Sequence, residues 1–401
     1  MNPNYKIIPY INSLKDNIEV INIRGWGITE LPDLSRFKNL KKLYCSDNNL
    51  TCLPPLNESL KELYCSDNKL TCLPPLNESL KELYCSCNKL VMLPKLNENL
   101  NILDCSKNQL IYLPDLNDKL DYLICDNNEL TYLPTINESL KFLDCKNNLL
   151  TYLPVLNSDL RFLNCANNKL TRLPKLTEKM ENLHCGNNML TLLPNLNERL
   201  EYLYCYHNQL TYLPELNEKL IALKCGHNKL TKLPKLNKTL SLLYCSNNKL
   251  TKLPKIEHIS LIKLDCSNNE LIFIPKLNKE LKIFDCSNNN LTMLPYLTEN
   301  LEWFMFLKNQ IYDTLYEIHG DNNTLKMYNK IKEINEILRK INNMKYIYYC
   351  KCFTSQFREI LWEKIRKPKL EMKYSPEELI KKLDEASEND EEHFNNLLRL
   401  W

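Results

Sequence analysis

Cysteine is the residue type whose number and spacing first suggest chemistry in this sequence. There are 18 cysteines in 401 residues, and most recur at intervals of 20 residues, as Cys45, Cys65 and Cys85 do. Such a count can indicate a disulfide framework, a metal site or a set of nucleophiles. A disulfide framework is typical of short secreted proteins, but the first residues lack the basic and apolar segments of a signal peptide.

Close pairs of metal-ligating residues provide the second kind of chemistry to consider. They are Cys85-x-Cys87, Cys205-x-His207, Cys225-x-His227 and Cys350-x-Cys352. A zinc site normally needs two such pairs that converge. In each Cys-x-His pair the Cys is predicted to point inward and the His outward, so the two cannot share one ion. We therefore predict no metal ion and no cofactor.

Nucleophilic catalysis has little support in the sequence. An active thiol needs a base within hydrogen-bonding reach and a third group that orients the base. No such motif occurs, nor does a phosphate-binding loop, a dinucleotide glycine pattern or a pair of catalytic carboxylates. The recurring Cys position instead suits a small apolar core residue. We predict a protein that is not an enzyme, with reduced thiols, located inside the cell and not secreted.

The elements that position these cysteines are 20-residue repeats. Residues 40–60 read LKKLYCSDNNLTCLPPLNESL, and residues 60–80 repeat them almost letter for letter. The pattern continues to Ile311, with one extra residue near 257–259. We predict an N-terminal cap at 1–17, an array of about 15 coils at 18–311, and a helical C-terminal domain at 312–401.

Each coil can be interpreted from its own letters. The alternation of Leu43, Tyr44 and Cys45 predicts a short strand with one face in the core. Pro54 favours an extended return path, which leaves a short convex side. An Asn side chain both donates and accepts hydrogen bonds, so one buried Asn per coil can satisfy the turn after the strand. This predicted structural ladder comprises Asn48, Asn68, Asn88, Asn108, Asn128, Asn148, Asn168, Asn188, Asn208, Asn228, Asn248, Asn269, Asn289 and Asn309.

The pattern LxxLxCxxNxL resembles that of leucine-rich repeats, and the LTxLPxL return is similar to the short repeats of bacterial effector proteins. The 20-residue coil with YCSxN and LNExL also resembles leucine-rich repeat proteins encoded by giant DNA viruses of amoebae. Cys45 and Asn57 depart from the effector pattern, which usually has an aliphatic residue and a second proline there. The resemblance implies an α/β repeat fold, a leucine-rich repeat solenoid with a curved parallel sheet.

The same resemblance implies a function in binding. It implies an intracellular protein-binding scaffold, placed in the host cytoplasm if the chain is viral, with a protein of the host cell as partner. Effectors with such repeats often carry a ubiquitin-ligase domain, but residues 312–401 are too few for one. An alternative is an adaptor whose C-terminal helical domain recruits a second host protein, such as ubiquitin-ligase machinery. Residues 312–401 would otherwise serve only to cap the open end of the array.

The outward strand residues are the candidate binding site, because side chains on one face of stacked strands form rows. Aromatic residues in these rows offer large contact areas at low entropic cost. Alternatively, they are simply strand formers that stack across coils. The predicted concave-face residues are Tyr44, Tyr64, Tyr84, Tyr122, Phe142, Phe162, Tyr202, Tyr204, Tyr244 and Trp303.

Charge gives a further restriction on partners. The chain has 52 basic and 49 acidic residues, a near balance that predicts neither a nucleic acid nor a membrane as partner. One local exception is a basic cluster, which either meets an acidic partner or phosphates or forms a solvated edge. Its members are Lys224, Lys229, Lys232, Lys235, Lys238, Lys249, Lys252 and Lys255.

Overall fold

The computed structural model describes residues 3–295 and 297–311. The predicted helical domain at 312–401, including Cys350 and Cys352, lies outside these residues. The described chain begins with a 3₁₀ helix at Pro3–Lys6 and a helix, α1, at Ile7–Ser13. Ile7 and Ile11 of α1 are buried, whereas Tyr5 and Ile8 are exposed.

Fifteen short strands follow, each of three residues. They are β1 Val20–Asn22, β2 Lys42–Tyr44, β3 Glu62–Tyr64, β4 Glu82–Tyr84, β5 Ile102–Asp104, β6 Tyr122–Ile124, β7 Phe142–Asp144, β8 Phe162–Asn164, β9 Asn182–His184, β10 Tyr202–Tyr204, β11 Ala222–Lys224, β12 Leu242–Tyr244, β13 Lys263–Asp265, β14 Ile283–Asp285 and β15 Trp303–Met305.

The strands form one parallel sheet in which each strand pairs with its neighbours in sequence, in the order β1 to β15. Leu43 pairs with Leu63, and Leu63 pairs with Leu83, so equivalent positions of successive coils lie side by side. The predicted repeat solenoid with a parallel sheet is therefore confirmed. The extra residue near 257–259 falls in a loop, and β12 and β13 still pair in register through Leu243 and Leu264.

The core is built from the same letters in every coil. In the coil that begins at Leu140, Leu143 of the strand, Cys145 just after it, and Leu150 and Leu153 of the return are all buried. In β2, β3 and β4 a buried central residue lies between more accessible neighbours, as the alternating pattern predicts. In β7, β8 and β11 one flanking residue is buried as well. The return segments contain no regular helix, so that side of each coil remains thin.

Buried asparagines join each coil to the preceding one. The Asn148 Nδ2 donates to the carbonyl oxygens of Cys145 at 3.1 Å and of Cys125, one coil earlier, at 3.0 Å. The Asn148 Oδ1 accepts from the backbone N–H of Leu130 at 3.0 Å, again in the preceding coil. The same three contacts recur from Asn48 to Asn309. One side chain therefore satisfies backbone groups that a buried turn would otherwise leave unpaired.

A second set of asparagines, which the sequence reasoning did not assign, closes the other end of the coil. The Asn97 Nδ2 donates to the carbonyl oxygens of Asn77 at 2.8 Å and Leu80 at 3.1 Å, while its Oδ1 accepts from the N–H of Asn99. The equivalent position in the first regular coil is Asn57, which donates to Leu34 and Phe37. These contacts explain why this chain has Asn where bacterial effector repeats usually have a second proline.

The residue before each ladder asparagine has a left-handed backbone. Fourteen non-glycine residues have φ values between 48° and 57°. Eleven of the fourteen are Asn, Asp or His, the side chains that tolerate this conformation best, and the others are Cys87, Lys107 and Lys308. In the degenerate first repeat the position is occupied by Gly25, with φ of 72°. Below, this set of residues is called the left-handed column.

We expect Asn148→Ala to destabilise the protein by roughly 2–4 kcal/mol. Each buried donor or acceptor that is left without a hydrogen-bond partner costs about 1–3 kcal/mol. Urea denaturation followed by circular dichroism measures the change. Leu149→Ala, one residue further on and 40% exposed, is the control and should shift stability by less than about 0.5 kcal/mol. Equal midpoints for the two variants would contradict the role assigned to the ladder.

In the left-handed column, Lys107→Asn should raise the stability of the folded state by about 0.5–1 kcal/mol, since Asn adopts this backbone more readily than Lys. Asn167→Val should lower it by about 1–2 kcal/mol, because a β-branched residue clashes there. The same denaturation measurement tests both. A Lys107→Asn variant less stable than the parent would argue against backbone strain at this position.

Candidate functional site

The candidate site is the concave face, formed by the outward residues of the sheet. The first and third residues of each strand form two parallel rows, and all ten predicted aromatic residues lie in them. Tyr122 and Trp303 are exposed, each at 44%, and the other eight are half-buried by their neighbours. The face is therefore a lining of rings that touch one another as well as solvent.

The N-terminal part of this face is a stack of three tyrosines. The ring centroids of Tyr44 and Tyr64 are 4.6 Å apart, and those of Tyr64 and Tyr84 are 4.7 Å apart. The hydroxyl of Tyr84 donates to Glu82 at 3.3 Å, and that of Tyr64 lies 3.3 Å from Glu62. Burial, and then the nearby Glu82 carboxylate, raise the pKa of Tyr84 to about 12. These hydroxyls are satisfied within the sheet, as expected if the rings stack as strand formers.

A continuous line of rings crosses the middle of the face from β6 to β12. We call it the aromatic track, and it consists of Tyr122, Phe142, Phe162, His184, Tyr204 and Tyr244, with Lys224 between the last two. Successive ring centroids from Tyr122 to Tyr204 are separated by 5.7, 4.2, 5.4 and 4.4 Å.

The track changes rows between Phe162 and His184, where the two rings meet edge to face. Beyond His184, the Lys224 Nζ lies 4.4 Å from the centroid of Tyr204 and 5.4 Å from that of Tyr244. Burial lowers the pKa of His184, which therefore stacks on Tyr204 as a neutral ring near pH 7. The sequence reasoning identified the two rows but not this diagonal.

Carboxylates border the track on both sides. In the coils of β6 and β7, where the track begins, the Lys146 Nζ lies 3.3 Å from Asp144 and 3.9 Å from Asp126. Burial, and then the charge of Asp144, raise the pKa of Asp126. Toward β14, burial raises the pKa of Asp285, whose carboxylate accepts from the hydroxyl and N–H of Ser287. The face thus combines an apolar centre with polar borders, the arrangement found in protein-binding surfaces.

The cysteine column lies behind this face, in the core. Thirteen cysteines from Cys45 to Cys286 are buried, and every cysteine in the described part of the chain is free. Burial raises the pKa of Cys45, Cys165 and Cys205 to about 12, so these thiols are protonated at neutral pH. Thiolate is the nucleophilic form, and the column is therefore chemically inert there. Cys52 and Cys72, on the return segments, are exposed.

The Cys-x-His pairs do not form a metal site. Cys205 and Cys225 are buried, whereas His207 and His227 are exposed members of the left-handed column. The two imidazoles stack on each other with centroids 3.8 Å apart. Within residues 3–311, Tyr296 excepted, no group of three or more His, Cys, Asp or Glu side chains is arranged to hold a metal ion. Nor does this part of the chain contain a helix long and apolar enough to cross a membrane.

A second exposed row, which the sequence reasoning missed, runs along the return segments. It lies two residues after the leucine that follows each ladder asparagine, and Tyr132, Tyr152, Tyr212 and Phe273 are 42–50% exposed. The signal was present in the sequence, since the x of LTxLP is aromatic in several coils. The repeat pattern points to the strand as the binding surface, because solenoids commonly bind there, and it gives no comparable weight to the return segments.

Comparison with solved structures identifies the class of protein. YopM, a leucine-rich effector protein from Yersinia pestis, is 32% identical over 72% of this chain and 89% of YopM, with a TM-score of 0.64. A leucine-rich repeat protein of Leptospira interrogans is 25% identical over 71% of this chain and 93% of its own, with a TM-score of 0.57. The chain described here belongs to the leucine-rich repeat proteins, with short repeats similar to those of bacterial effectors.

A more distant likeness concerns the fold alone. The plant peptide hormone receptor RGFR1, solved in complex with RGF2, is 20% identical over 73% of this chain and 60% of the receptor, with a TM-score of 0.55. No protein-family model matches the sequence, and no curated protein does.

The cysteine column predicts a loss of stability at alkaline pH. Unfolded thiols ionise near their ordinary pKa of 9.0, while folded ones such as Cys165 remain protonated up to about 12. Unfolding therefore releases protons between these values, and each buried thiol should remove up to about 1.4 kcal/mol of stability per pH unit. Urea denaturation of the parent and Cys165→Ala between pH 7 and 11 measures this. The variant should lose stability less steeply above pH 9, and identical slopes would contradict this explanation.

Proposed function

We propose that the protein is a non-enzymatic scaffold that binds a protein segment along the aromatic track of its concave face. The observation that carries this proposal is the series of ring contacts from Tyr122 to Tyr204, which the Lys224 ammonium group extends to Tyr244. Stacked rings are already ordered, so a partner can bury them with little loss of side-chain entropy. Leucine-rich repeat solenoids typically serve as protein-binding scaffolds, and the curved sheet is their common contact surface.

The dimensions of the track support a peptide-like ligand. Seven adjacent strands, β6 to β12, span roughly 29 Å at about 4.8 Å per strand. This length matches a helix of about 19 residues or an extended segment of about nine. The carboxylates beside the track, Asp126 and Asp285 among them, favour basic residues at the ends of that segment.

The setting of this binding is part of the proposal. We place the protein inside a cell, because thirteen buried free thiols suit a reducing compartment. The likeness of the 20-residue coil to proteins of giant DNA viruses of amoebae favours a viral protein in the host cytoplasm, with a host protein as partner. The 32% identity to the YopM effector is compatible with this setting.

The adaptor alternative keeps the same concave site and adds a second partner. It rests on residues 312–401, whose sequence is longer than a cap requires, and this segment lies outside the described residues. The experiment compares the full chain with the array alone and identifies the proteins that each retains from a cell extract. A partner retained only by the full chain indicates a recruiting segment, and identical partners indicate a cap.

We expect the triple variant Tyr122→Ser, Phe142→Ser, Tyr204→Ser to lose binding to most segments selected by the parent protein. The selection uses a yeast-displayed library of 20-residue peptides, and binding is then measured for each selected segment. Losing three central ring contacts should weaken affinity at least tenfold for those segments, because aromatic anchors dominate interface energies.

The matched control is Tyr112→Ser, Tyr132→Ser, Tyr152→Ser, which removes three rings from the return segments of neighbouring coils. It should leave those affinities within about twofold, because distant sites act independently. Thermal unfolding of both variants establishes that the array is intact. If the selected segments bind the triple variant of the aromatic track with the same affinity as the parent protein, the concave-face proposal is wrong.

A further inference from the structure

The return segments of two adjacent coils carry a dense block of positive charge. Lys224, at the end of β11, belongs to the concave face, where it contacts Tyr204 and Tyr244. The other seven lysines of the basic cluster are all exposed, and six of them occupy the same three positions on two successive return segments. We call these six the lysine flank, and they are Lys229, Lys232, Lys235, Lys249, Lys252 and Lys255.

The lysine flank is a regular grid of two rows of three. Leu230, Leu233 and Leu236 are buried, and the lysine beside each of them points outward. The backbone N–H of Lys249 donates to the carbonyl of Leu230 at 2.9 Å, which places the two coils in register. Lysines three residues apart on an extended segment are about 10 Å apart, and equivalent lysines of neighbouring coils are about 5 Å apart.

No ion pair within the described residues neutralises these charges. None of the six lysines has an ion-pair partner among the residues that the structure describes. The one acidic residue in the sequence between 221 and 260 is Glu257, whose carboxylate pairs with Lys276 and also attracts Lys255. The two bordering coils contribute one carboxylate each at equivalent positions, Glu215 and Glu270. Six like charges so close together repel one another, and an anionic partner would relieve that repulsion.

Aromatic residues border the grid on both sides. In the row that contains Lys232 and Lys252, the preceding coil has Tyr212, 49% exposed, and the following coil has Phe273, 48% exposed. The row therefore reads aromatic, lysine, lysine, aromatic across four coils. The two rings are about 14 Å apart at the strand spacing, too far to stack consecutive bases of a nucleic acid.

From this arrangement we infer a second interaction surface: the lysine flank, with Tyr212 and Phe273, binds an acidic protein segment that has apolar residues on both sides of its carboxylates. The carboxylates pair with the two rows of ammonium groups, and the apolar side chains cover the two rings. Because the grid lies on return segments and not on the sheet, it is separate from the aromatic track. The array can then hold two different protein segments at once.

The experiment measures binding of the fluorescein-labelled peptide FEEDEEEF to the full-length protein by fluorescence anisotropy. The parent is compared with Lys229→Glu, Lys249→Glu and with the control Lys69→Glu, Lys89→Glu, which changes the same position of the coil in two earlier repeats. The flank variant should lose at least tenfold in affinity and the control less than twofold. Equal losses in both variants would show a general charge effect and overturn the inference.

Further probes test the chemistry of the partner. The peptide EEEEEEEE should bind more weakly than FEEDEEEF, and Phe273→Ser should remove that difference. Two other anionic probes are a 12-nucleotide oligothymidylate and vesicles of phosphatidylcholine with 30% phosphatidylserine. If either binds the parent more tightly than FEEDEEEF does, the assignment of an acidic protein segment is wrong. Retention of FEEDEEEF binding by the concave-track variant is expected, and its loss there would show that the two surfaces are not separate.

Discussion

The structure depends on one interaction, the hydrogen bonding of a buried asparagine to two successive coils. A 20-residue coil must turn sharply after a three-residue strand, and the turn brings backbone groups into the core. Asn148 is 6% exposed and satisfies such groups in its own coil and in the coil before it. Because each asparagine needs the preceding coil, the coils order one another and no coil is independent. This dependence keeps equivalent positions of successive coils side by side, which produces the rows on the concave face.

Much of the fold could be predicted from the sequence, because its signals are local and repeated. The strand at Lys42–Tyr44 followed from the alternation of Leu43 and Cys45, and the inward direction of the cysteines followed from the same period. The left-handed backbone at Asp47 and its equivalents was less visible. Its position contains no glycine in the regular coils, so the usual sign of a positive φ is missing. The abundance of Asn, Asp and His there was the available clue.

The candidate site was predictable only as a surface. Stacking of coils places Tyr122, Phe142 and Phe162 in one row, which sequence spacing alone shows. The step from Phe162 to His184 in the other row depends on the rotamers of both side chains. Sequence spacing carries no information on rotamers. Similarly, the eight lysines of the basic cluster formed one group in sequence. The coil separates Lys224 on the sheet from the six on the return segments and from Lys238 in the turn that follows.

The constant length of the coil has a consequence for how such a protein can change size. Residues 40–59 and 60–79 differ at two positions, Lys42 against Glu62 and Asn49 against Lys69. Duplicating or deleting one such unit would add or remove one strand, about 4.8 Å of sheet, without altering any hydrogen bond of the remaining coils. Even the extra residue near 257–259 is absorbed in a loop, since Leu250 still donates to Asn269 at 3.0 Å. The length of the sheet therefore grows in fixed steps of one coil, and the number of repeat copies in the gene sets that length.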